Sequence, residues 1–152
     1  MKTIIRKAYI KEVPVIQGLI GCFAKKDLML QRSLIELYEN IRDYFVAVNG
    51  RNIIGCCALH ICWENLAEVK ALAVDENWHK KDIGTTLVKQ ALKEARSLDI
   101  KKVFCLTYAP KFFVKLGFKN IDRKLLPHKI WTECLQCAKF PNCDEQAMMT
   151  RI

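Results

Sequence analysis

A polar, basic loop between an apolar strand and a long amphipathic helix is the part of the sequence best suited to binding an anion. The apolar strand covers residues 67–74, the loop residues 75–82, and the helix begins at Ile83. The first backbone amides of a helix lack partners, and the helix dipole favours negative charge beside them. Lys80 and Lys81 add positive charge. The segment predicts a phosphate site, although an ordinary loop with solvated lysines has the same composition.

Two charged residues lie within that apolar strand. Strict alternation puts the side chains of residues 67, 69, 71 and 73 on one face, and four others on the opposite face: Glu68, Lys70, Leu72 and Val74. Glu68 and Lys70 are then about 7 Å apart along the strand. Such a pair fits a polar site in a cleft and equally fits a charged strand edge that faces solvent.

Two segments, taken in order, resemble the motifs of the GNAT acetyltransferases. His79, Asp82 and Gly84 align with a loop motif that reads Arg/Gln-x-x-Gly-x-Gly/Ala in the family. Residues 109–118, Ala-Pro-Lys-Phe-Phe-Val-Lys-Leu-Gly-Phe, are similar to the last-helix signature of the same family. The spacing between the segments also fits, and the resemblance spans residues 4–121.

The resemblance implies an α+β fold with a central mixed, mostly antiparallel sheet flanked by helices, and it implies acetyl-CoA as the acetyl donor. In the family, a neutral amine attacks the thioester directly, backbone amides stabilise the oxyanion, and a general base deprotonates the substrate ammonium. Glu68 is the residue that the resemblance implies as base. The implied cofactor-binding residues are Leu72, Ala73, Val74, His79, Lys80, Lys81, Asp82, Ile83, Gly84 and Thr85.

Three residues depart from the family pattern. Asp82 stands where the family has its first loop glycine, and His79 stands where it has Arg or Gln. We expect the Asp82 carboxylate to cap the helix, to compete with phosphates for the same amides and to weaken cofactor binding, with the two loop lysines opposing this effect. Phe113 stands where many relatives carry a tyrosine that is thought to protonate the leaving thiolate, and a phenyl ring donates no proton.

Further segments resemble the short, stand-alone GNAT proteins related to the acetyltransferase domain of N-acetylglutamate synthase. They cover residues 32–45, 67–70 and 126–143. This likeness implies acetylation of the α-amino group of glutamate or a similar amino acid, the first step of arginine biosynthesis. Arg32, Arg42 and Lys70 are candidates to bind its carboxylates, with Arg32 first, although Arg32 also fits an ordinary surface position. At 152 residues, the chain has no room for the arginine-binding kinase-like domain of the longer synthases.

Other functions stay open at this point. The acceptor could be another amine, such as a polyamine, an antibiotic, a protein N-terminus or a lysine. Asp82 and Phe113 also fit a degenerate protein that binds CoA, or nothing, as a regulator. The net charge of +9 is compatible with a polyanionic partner. The lysines are scattered without an aromatic and basic platform, so we expect no nucleic-acid partner.

Hydrophobic periodicity predicts the element order β-α-α-β-β-β-α-β-α-β. The Asn-Gly pair at residues 49–50 predicts a hairpin, and Ser33 followed by Glu36 predicts a helix cap. The helix over residues 83–98 is expected to bury seven side chains: Ile83, Leu87, Val88, Ala91, Leu92, Ala95 and Leu98. We assign residues 1–124 to the acetyltransferase domain and residues 125–152 to a cysteine-containing C-terminal extension packed on it.

The last three of eight cysteines, Cys134, Cys137 and Cys143, form a cluster in that extension. A metal site with His128 as fourth ligand, apolar packing and a disulfide are the alternatives, and we favour apolar packing without a metal. We find no signal peptide and no apolar run long enough for a membrane span. We therefore expect a cytoplasmic protein without a membrane partner, and a homodimer stays open.

Overall fold

The computed structural model describes residues 2–26, 28–79, 82–126 and 145–152. Within these residues, seven strands form one sheet in the order β1-β2-β3-β4-β5-β7-β6. The strands are β1 (Thr3–Lys7), β2 (Tyr44–Asn49), β3 (Asn52–Trp63), β4 (Leu66–Val74), β5 (Lys102–Thr107), β6 (Lys119–Asn120) and β7 (Gln146–Arg151). The helices are α1 (Val13–Ala24), α2 (Leu34–Glu39), α3 (Ile83–Ser97) and α4 (Pro110–Val114).

The sheet is mixed and mostly antiparallel, as predicted. Strands β1 to β4 pair antiparallel in chain order, and β5 and β6 each pair antiparallel with β7. Only β4 and β5 are parallel, which follows from the α3 crossover between them. The predicted hairpin is present between β2 and β3, where Gly50 adopts a φ of 63°.

Helices cover both faces of the sheet. On one face, α3 packs against Ala67 and Val69 of β4 in an apolar cluster that continues to Phe113 and Phe118. On the other face, α1 and α2 bury a second cluster against the sheet, and this cluster includes Ala71 and Ala73 of β4. The sheet is therefore the middle of three layers, and β4 contributes side chains to both apolar clusters.

Both helix predictions that can be compared in detail are largely confirmed. Ser33 caps α2, because its Oγ accepts a hydrogen bond from the Glu36 amide at 3.1 Å. Six of the seven residues expected on the buried side of α3 are buried. Leu98 is the exception: the helix ends at Ser97, and the Leu98 side chain is 53% exposed.

Strand β4 contains an extra residue relative to β3, which makes the predicted strict alternation wrong. Lys70 pairs with Ala58 and Ala73 with Cys56, so three steps along β4 match two along β3. Ala71 takes up the difference with a φ of 55°, a left-handed value that is rare for a residue with a side chain. Beyond it the faces exchange: Leu72 packs with the α3 cluster, and Ala73 with the α1–α2 cluster.

The C-terminal segment forms part of the sheet. The hydrophobic pattern predicts no strand in this segment, yet β7 lies between β5 and β6 and pairs with both. Met148 of this strand is fully buried in the α3 cluster. Residues 146–151 therefore belong to the same core as the strands before them, while residues 127–144 lie outside the part that the structure describes.

A bidentate ion pair fixes the chain between β1 and α1. The Arg6 guanidinium donates to the two oxygens of the Glu12 carboxylate at 2.9 and 2.7 Å. The Tyr9 amide donates to the same carboxylate at 2.7 Å. The hydrogen bonds from Arg6 lower the pKa of Glu12 below its ordinary value, and burial opposes this only in part. The ionised carboxylate therefore stabilises the folded state.

We expect Glu12→Gln to destabilise the protein by about 1 kcal/mol at neutral pH. Because the folded pKa of Glu12 is lowered, its contribution is present above the unfolded value of about 4.3. It disappears as the pH falls through the folded value. Chemical denaturation at neutral and acidic pH measures this, with the exposed Glu39→Gln as a matched control. An equal loss of stability at both pH values would contradict the assignment.

Candidate functional site

An opening between β4 and β5 lies at the centre of the sheet. The two strands pair only at Leu66–Glu68 of β4, opposite residues 102–104 of β5. In the described part of the chain, residues 69–74 of β4 pair with β3 alone. The β4–β5 pairing ends at Glu68, three residues before the extra residue at Ala71. Such an extra residue, a β-bulge, bends the strand that carries it. The backbone of β4, including Leu72, Ala73 and Val74, therefore has an edge that can bind a ligand.

The start of α3 has the backbone shape of a glycine-containing loop, although the residue is an aspartate. Asp82 is the N-cap of α3 with φ 59° and ψ 19°, and its carboxylate makes no capping hydrogen bond. The expectation that this carboxylate caps the helix is wrong, because a left-handed N-cap turns its side chain away from the amides that follow. The first intrahelical bond runs from the Thr86 amide to the Asp82 carbonyl, which leaves the amides of Ile83, Gly84 and Thr85 ahead of it.

The loop before α3 is anchored to β4 and to the end of α1. The His79 ring donates through Nε2 to the Val74 carbonyl at 2.7 Å, and it stacks on Phe23 with a centroid separation of 6.1 Å. Lys26, just after α1, forms an ion pair with Glu76. His79 therefore contacts the strand end and α1 in this structure.

Helix α4 packs beside the N-terminus of α3. A Cβ built on Gly84 would lie 3.4 Å from the Phe112 ring, an ordinary contact that an alanine also makes. Phe113 is 5% exposed and packs edge-to-face on Phe112 and on Phe118, with both centroid separations 5.1 Å. The Phe113 side chain is part of the apolar core and provides no proton donor.

A group of charged side chains lies on the α1–α2 face of the sheet. Arg32 precedes the Ser33 cap, and its Nη1 donates to Glu36 Oε1 at 2.9 Å. The Arg32 side chain is 15% exposed, and its Nε–H is buried without a hydrogen-bond partner. Burial lowers the pKa of Arg32, but interactions with Glu36, Tyr44 and Glu68 outweigh it, so that the pKa rises above its ordinary value. Arg42, in contrast, is exposed.

Glu68 and Lys70 project from β4 into this group. Glu68 is only 3% exposed. Burial lowers the pKa of Lys70 below its ordinary value; the Glu68 carboxylate opposes this shift, and the nearby Arg32 adds to it. The structure therefore brings Arg32, which is far away in sequence, within electrostatic reach of Glu68 and Lys70. Burial also raises the pKa of the Tyr44 hydroxyl, so that it stays protonated.

Two further residues of this face were not predicted as site residues from the sequence. His60 of β3 is the direct cross-strand partner of Glu68. Its Nδ1 lies 2.7 Å from Oδ2 of Asp43, which ends the turn before β2. A histidine within the apolar run of β3 is a visible signal in the sequence, and the β3–β4 turn around residues 64–65 places it opposite Glu68.

Several predicted residues lie outside the described part of the chain. They are Lys80, Lys81, His128, Cys134, Cys137 and Cys143. Among the described residues, no group of three His, Cys, Asp or Glu side chains is arranged to hold a metal ion. The alternatives for the cysteine cluster therefore remain predictions. None of the helices in the described ranges is long and apolar enough to cross a membrane.

Comparison with known proteins assigns the family. The acetyltransferase (GNAT) family matches residues 15–118. The chain belongs to the GNAT family. An uncharacterized N-acetyltransferase of Chlorobaculum tepidum is 37% identical over 147 residues, which cover 97% of this chain and 95% of that protein. An amino-acid acetyltransferase of Mycobacterium tuberculosis is 32% identical over 135 residues, 87% of this chain and 77% of that protein.

Solved structures agree with this assignment. A Mycobacterium tuberculosis protein in complex with CoA and NLQ superposes with a TM-score of 0.84 at 27% identity, over 98% of this chain and 99% of that chain. The N-acetylglutamate synthase of Neisseria gonorrhoeae, complexed with coenzyme A and N-acetyl-glutamate, gives a TM-score of 0.89 at 22% identity. That match covers 99% of this chain and 35% of the synthase, and at this identity it shows the fold alone.

As a GNAT enzyme, the chain is an acetyl-CoA-dependent N-acetyltransferase. Two features of the structure fit this donor. The β4–β5 opening offers a free strand edge, and the start of α3 offers backbone amides behind a left-handed residue. Both features lie at the end of β4, where the loop to α3 begins. The predicted cofactor residues that the structure describes therefore lie at the end of β4, at His79 in the loop and at the start of α3.

We expect Asp82→Gly to bind acetyl-CoA about fivefold more tightly, or by about 1 kcal/mol. The substitution removes a negative charge beside the phosphate site and suits a φ of 59°. Asp82→Asn, which removes only the charge, should act in the same direction. Isothermal titration calorimetry measures the affinities.

Asp99→Gly is a matched control for this substitution. Asp99 also has a left-handed φ, 61°, but it follows the opposite end of α3. Its replacement should leave acetyl-CoA affinity unchanged. Weaker binding by Asp82→Gly and Asp82→Asn would instead mean that the carboxylate organises the loop for the cofactor.

Proposed function

We propose that the protein acetylates the α-amino group of L-glutamate by direct transfer from acetyl-CoA, the reaction that opens arginine biosynthesis. The observation that carries this proposal is the pair of partly buried cations, Arg32 and Lys70, beside the buried Glu68 carboxylate. The amino-acid acetyltransferase of Mycobacterium tuberculosis, at 32% identity, supports an amino acid as acceptor.

Arg32 is the residue that we assign to a substrate carboxylate. Its Nη1 is already held by Glu36, which fixes the guanidinium plane. Its buried Nε–H has no hydrogen-bond partner among the described residues, and an unsatisfied buried donor costs about 1–3 kcal/mol. A carboxylate at this edge of the guanidinium would accept that hydrogen bond and balance the charge. An acidic acceptor is therefore favoured over a cationic one.

Lys70 is the second cation that we assign to the substrate. It lies on β4 two residues after Glu68, before the extra residue at Ala71, and therefore keeps the same face as Glu68. Burial lowers its pKa, and the Glu68 carboxylate opposes this shift. An anionic group of the substrate beside Lys70 would likewise favour the charged ammonium.

Glu68 is the general base in this proposal. Acetyl-CoA, when bound, supplies an activated acetyl group to a neutral amine. Glu68 accepts the proton that the substrate ammonium must lose before it becomes a nucleophile. The amides of β4 near Leu72, Ala73 and Val74 border the β4–β5 opening and are assigned to the developing oxyanion. Phe113 provides no general acid, so the thiolate leaves without a proton from that position.

We expect L-glutamate to give the highest kcat/KM in an acetyl-CoA turnover assay across the protein amino acids and common polyamines. Arg32→Gln should raise KM for glutamate about tenfold or more, because it leaves one substrate carboxylate without a charged partner. The effect should be smaller for glutamine, which has one carboxylate fewer. A polyamine or peptide with a higher kcat/KM than glutamate would contradict the proposed acceptor.

Arg96→Gln is the matched control for Arg32→Gln. Arg96 is exposed in the last turn of α3, at the end of the helix away from the cofactor loop. It should leave both KM values unchanged. Equal effects of the two substitutions would mean that Arg32 acts through general charge and not through a bound carboxylate.

We expect Glu68→Gln to lower kcat about 100-fold at neutral pH, and the loss to grow as the pH falls. The base matters most where the substrate amine is protonated, and a high pH supplies free amine without it. The pH profile of kcat for both proteins measures this. Glu64→Gln, in the exposed β3–β4 turn, is the control. A Glu68→Gln profile parallel to that of the wild-type protein would remove Glu68 as base.

A further inference from the structure

The burial of Glu68 creates a problem that the proposed base mechanism does not solve. Glu68 is 3% exposed, so a proton that it accepts has little direct access to water. The carboxylic acid must nevertheless lose this proton before the next substrate arrives. A second ionisable group, in reach of Glu68 and more exposed to solvent, would supply the exit.

His60 has the position that such a group requires. It is the direct cross-strand partner of Glu68 in the antiparallel β3–β4 pair. Side chains in such pairs point to the same face with Cβ atoms about 4.5–5.5 Å apart. The His60 side chain is 29% exposed, in contrast to that of Glu68. His60 therefore lies opposite the buried carboxylate and has more access to solvent than Glu68.

The tautomer of His60 is also suited to receive a proton. Its Nδ1 lies 2.7 Å from Oδ2 of Asp43. An ionised carboxylate only accepts hydrogen bonds, so Nδ1 carries the hydrogen, and in the neutral ring Nε2 then has a lone pair. Asp43 holds the ring in this orientation.

We propose that His60, oriented by Asp43, takes the proton from Glu68 after each acetyl transfer and releases it to water. An N–H bond of the substrate ammonium breaks as an O–H bond forms on Glu68. This O–H bond then breaks as an N–H bond forms on Nε2 of His60, and the imidazolium loses that proton to solvent. No oxidant, reductant or further reactant is needed. The inference rests on the proposed role of Glu68 as base.

His60→Asn is the substitution that tests this inference. The asparagine amide can replace Nδ1 as donor to Asp43 but has no group in the place of Nε2. We expect kcat to fall about tenfold or more while KM for the acceptor changes little. Added imidazole should restore kcat in a concentration-dependent manner in the variant and leave the wild-type rate unchanged. A purely structural role of His60 would not give rescue by a free base.

A double-mutant cycle shows whether His60 acts through Glu68. In the Glu68→Gln background, His60→Asn should cost no further activity, because no proton reaches His60 by this route. Ile61→Asn, one residue further along β3 and 46% exposed on the opposite face, should keep its wild-type kcat. A kcat of His60→Asn within twofold of the wild-type value, a loss without imidazole rescue, or additive losses in the cycle would overturn the inference.

These measurements use the acceptor that the wild-type enzyme acetylates best. If that acceptor is not glutamate, the proposed substrate fails while the His60 experiment still proceeds on the preferred amine. If Glu68→Gln is as active as the wild-type protein, the proposed base fails, and the inference about His60 falls with it. The acceptor panel, the Glu68 variant and the His60 variant thus report three separate outcomes.

Discussion

The extra residue of β4 at Ala71 is the constraint on which the rest of the site depends. It lets Glu68 and Lys70 project from one face of the strand while Leu72, a short distance on, packs against α3 on the other. The β4–β5 pairing ends at Glu68, three residues before this extra residue, so the opening of the sheet and the exchange of faces lie close together along β4. A left-handed φ on a residue other than glycine costs about 1–3 kcal/mol. The buried alanines and α3 contacts on either side hold the strand in this conformation.

The charged side chains on this face interact in a partly buried region. Glu68 and Lys70 of β4 lie near Arg32, which precedes α2, and near Glu36 of α2. In such a setting each charge needs a partner, because an unpaired buried charge costs far more than an exposed one. Glu36 satisfies only part of the Arg32 guanidinium, and the Nε–H is buried without a hydrogen-bond partner among the described residues.

Much of the fold follows from local pattern in the sequence, and the departures arise from long-range contacts. The periodicity of residues 83–98 predicts α3 because its apolar residues recur on one side. Leu98 fits the same periodicity, but the helix ends one residue earlier. The residues of β4 alternate regularly, so the extra residue at Ala71 leaves no mark in the pattern and is fixed only by its register with β3. Strand β7 has a weak alternation of its own and pairs with β5, about 45 residues earlier in the chain.

The candidate site likewise contains residues that local sequence predicts and residues that only long-range contacts bring together. The cofactor segment was recognisable because it is continuous in sequence, from β4 through the loop to α3. Arg32 and Lys70 could be proposed from residue type and resemblance, but their proximity to each other depends on how α2 packs on the sheet. His60 lies in no motif, and Asp43 lies in the resembling segment 32–45 without a role assigned to it there. Both become candidates only when the β3–β4 register places His60 opposite Glu68.

The loop before α3 explains how an aspartate can occupy a glycine position. A left-handed residue persists where its surroundings over-determine it. Here the loop is held by the His79 hydrogen bond to Val74, by the stacking of His79 on Phe23 and by the ion pair between Lys26 and Glu76. These contacts come from β4 and α1, so the backbone shape at Asp82 does not require the conformational freedom of glycine. A glycine at this position would remove the negative charge from the start of α3, while the contacts of the loop would still define its backbone shape.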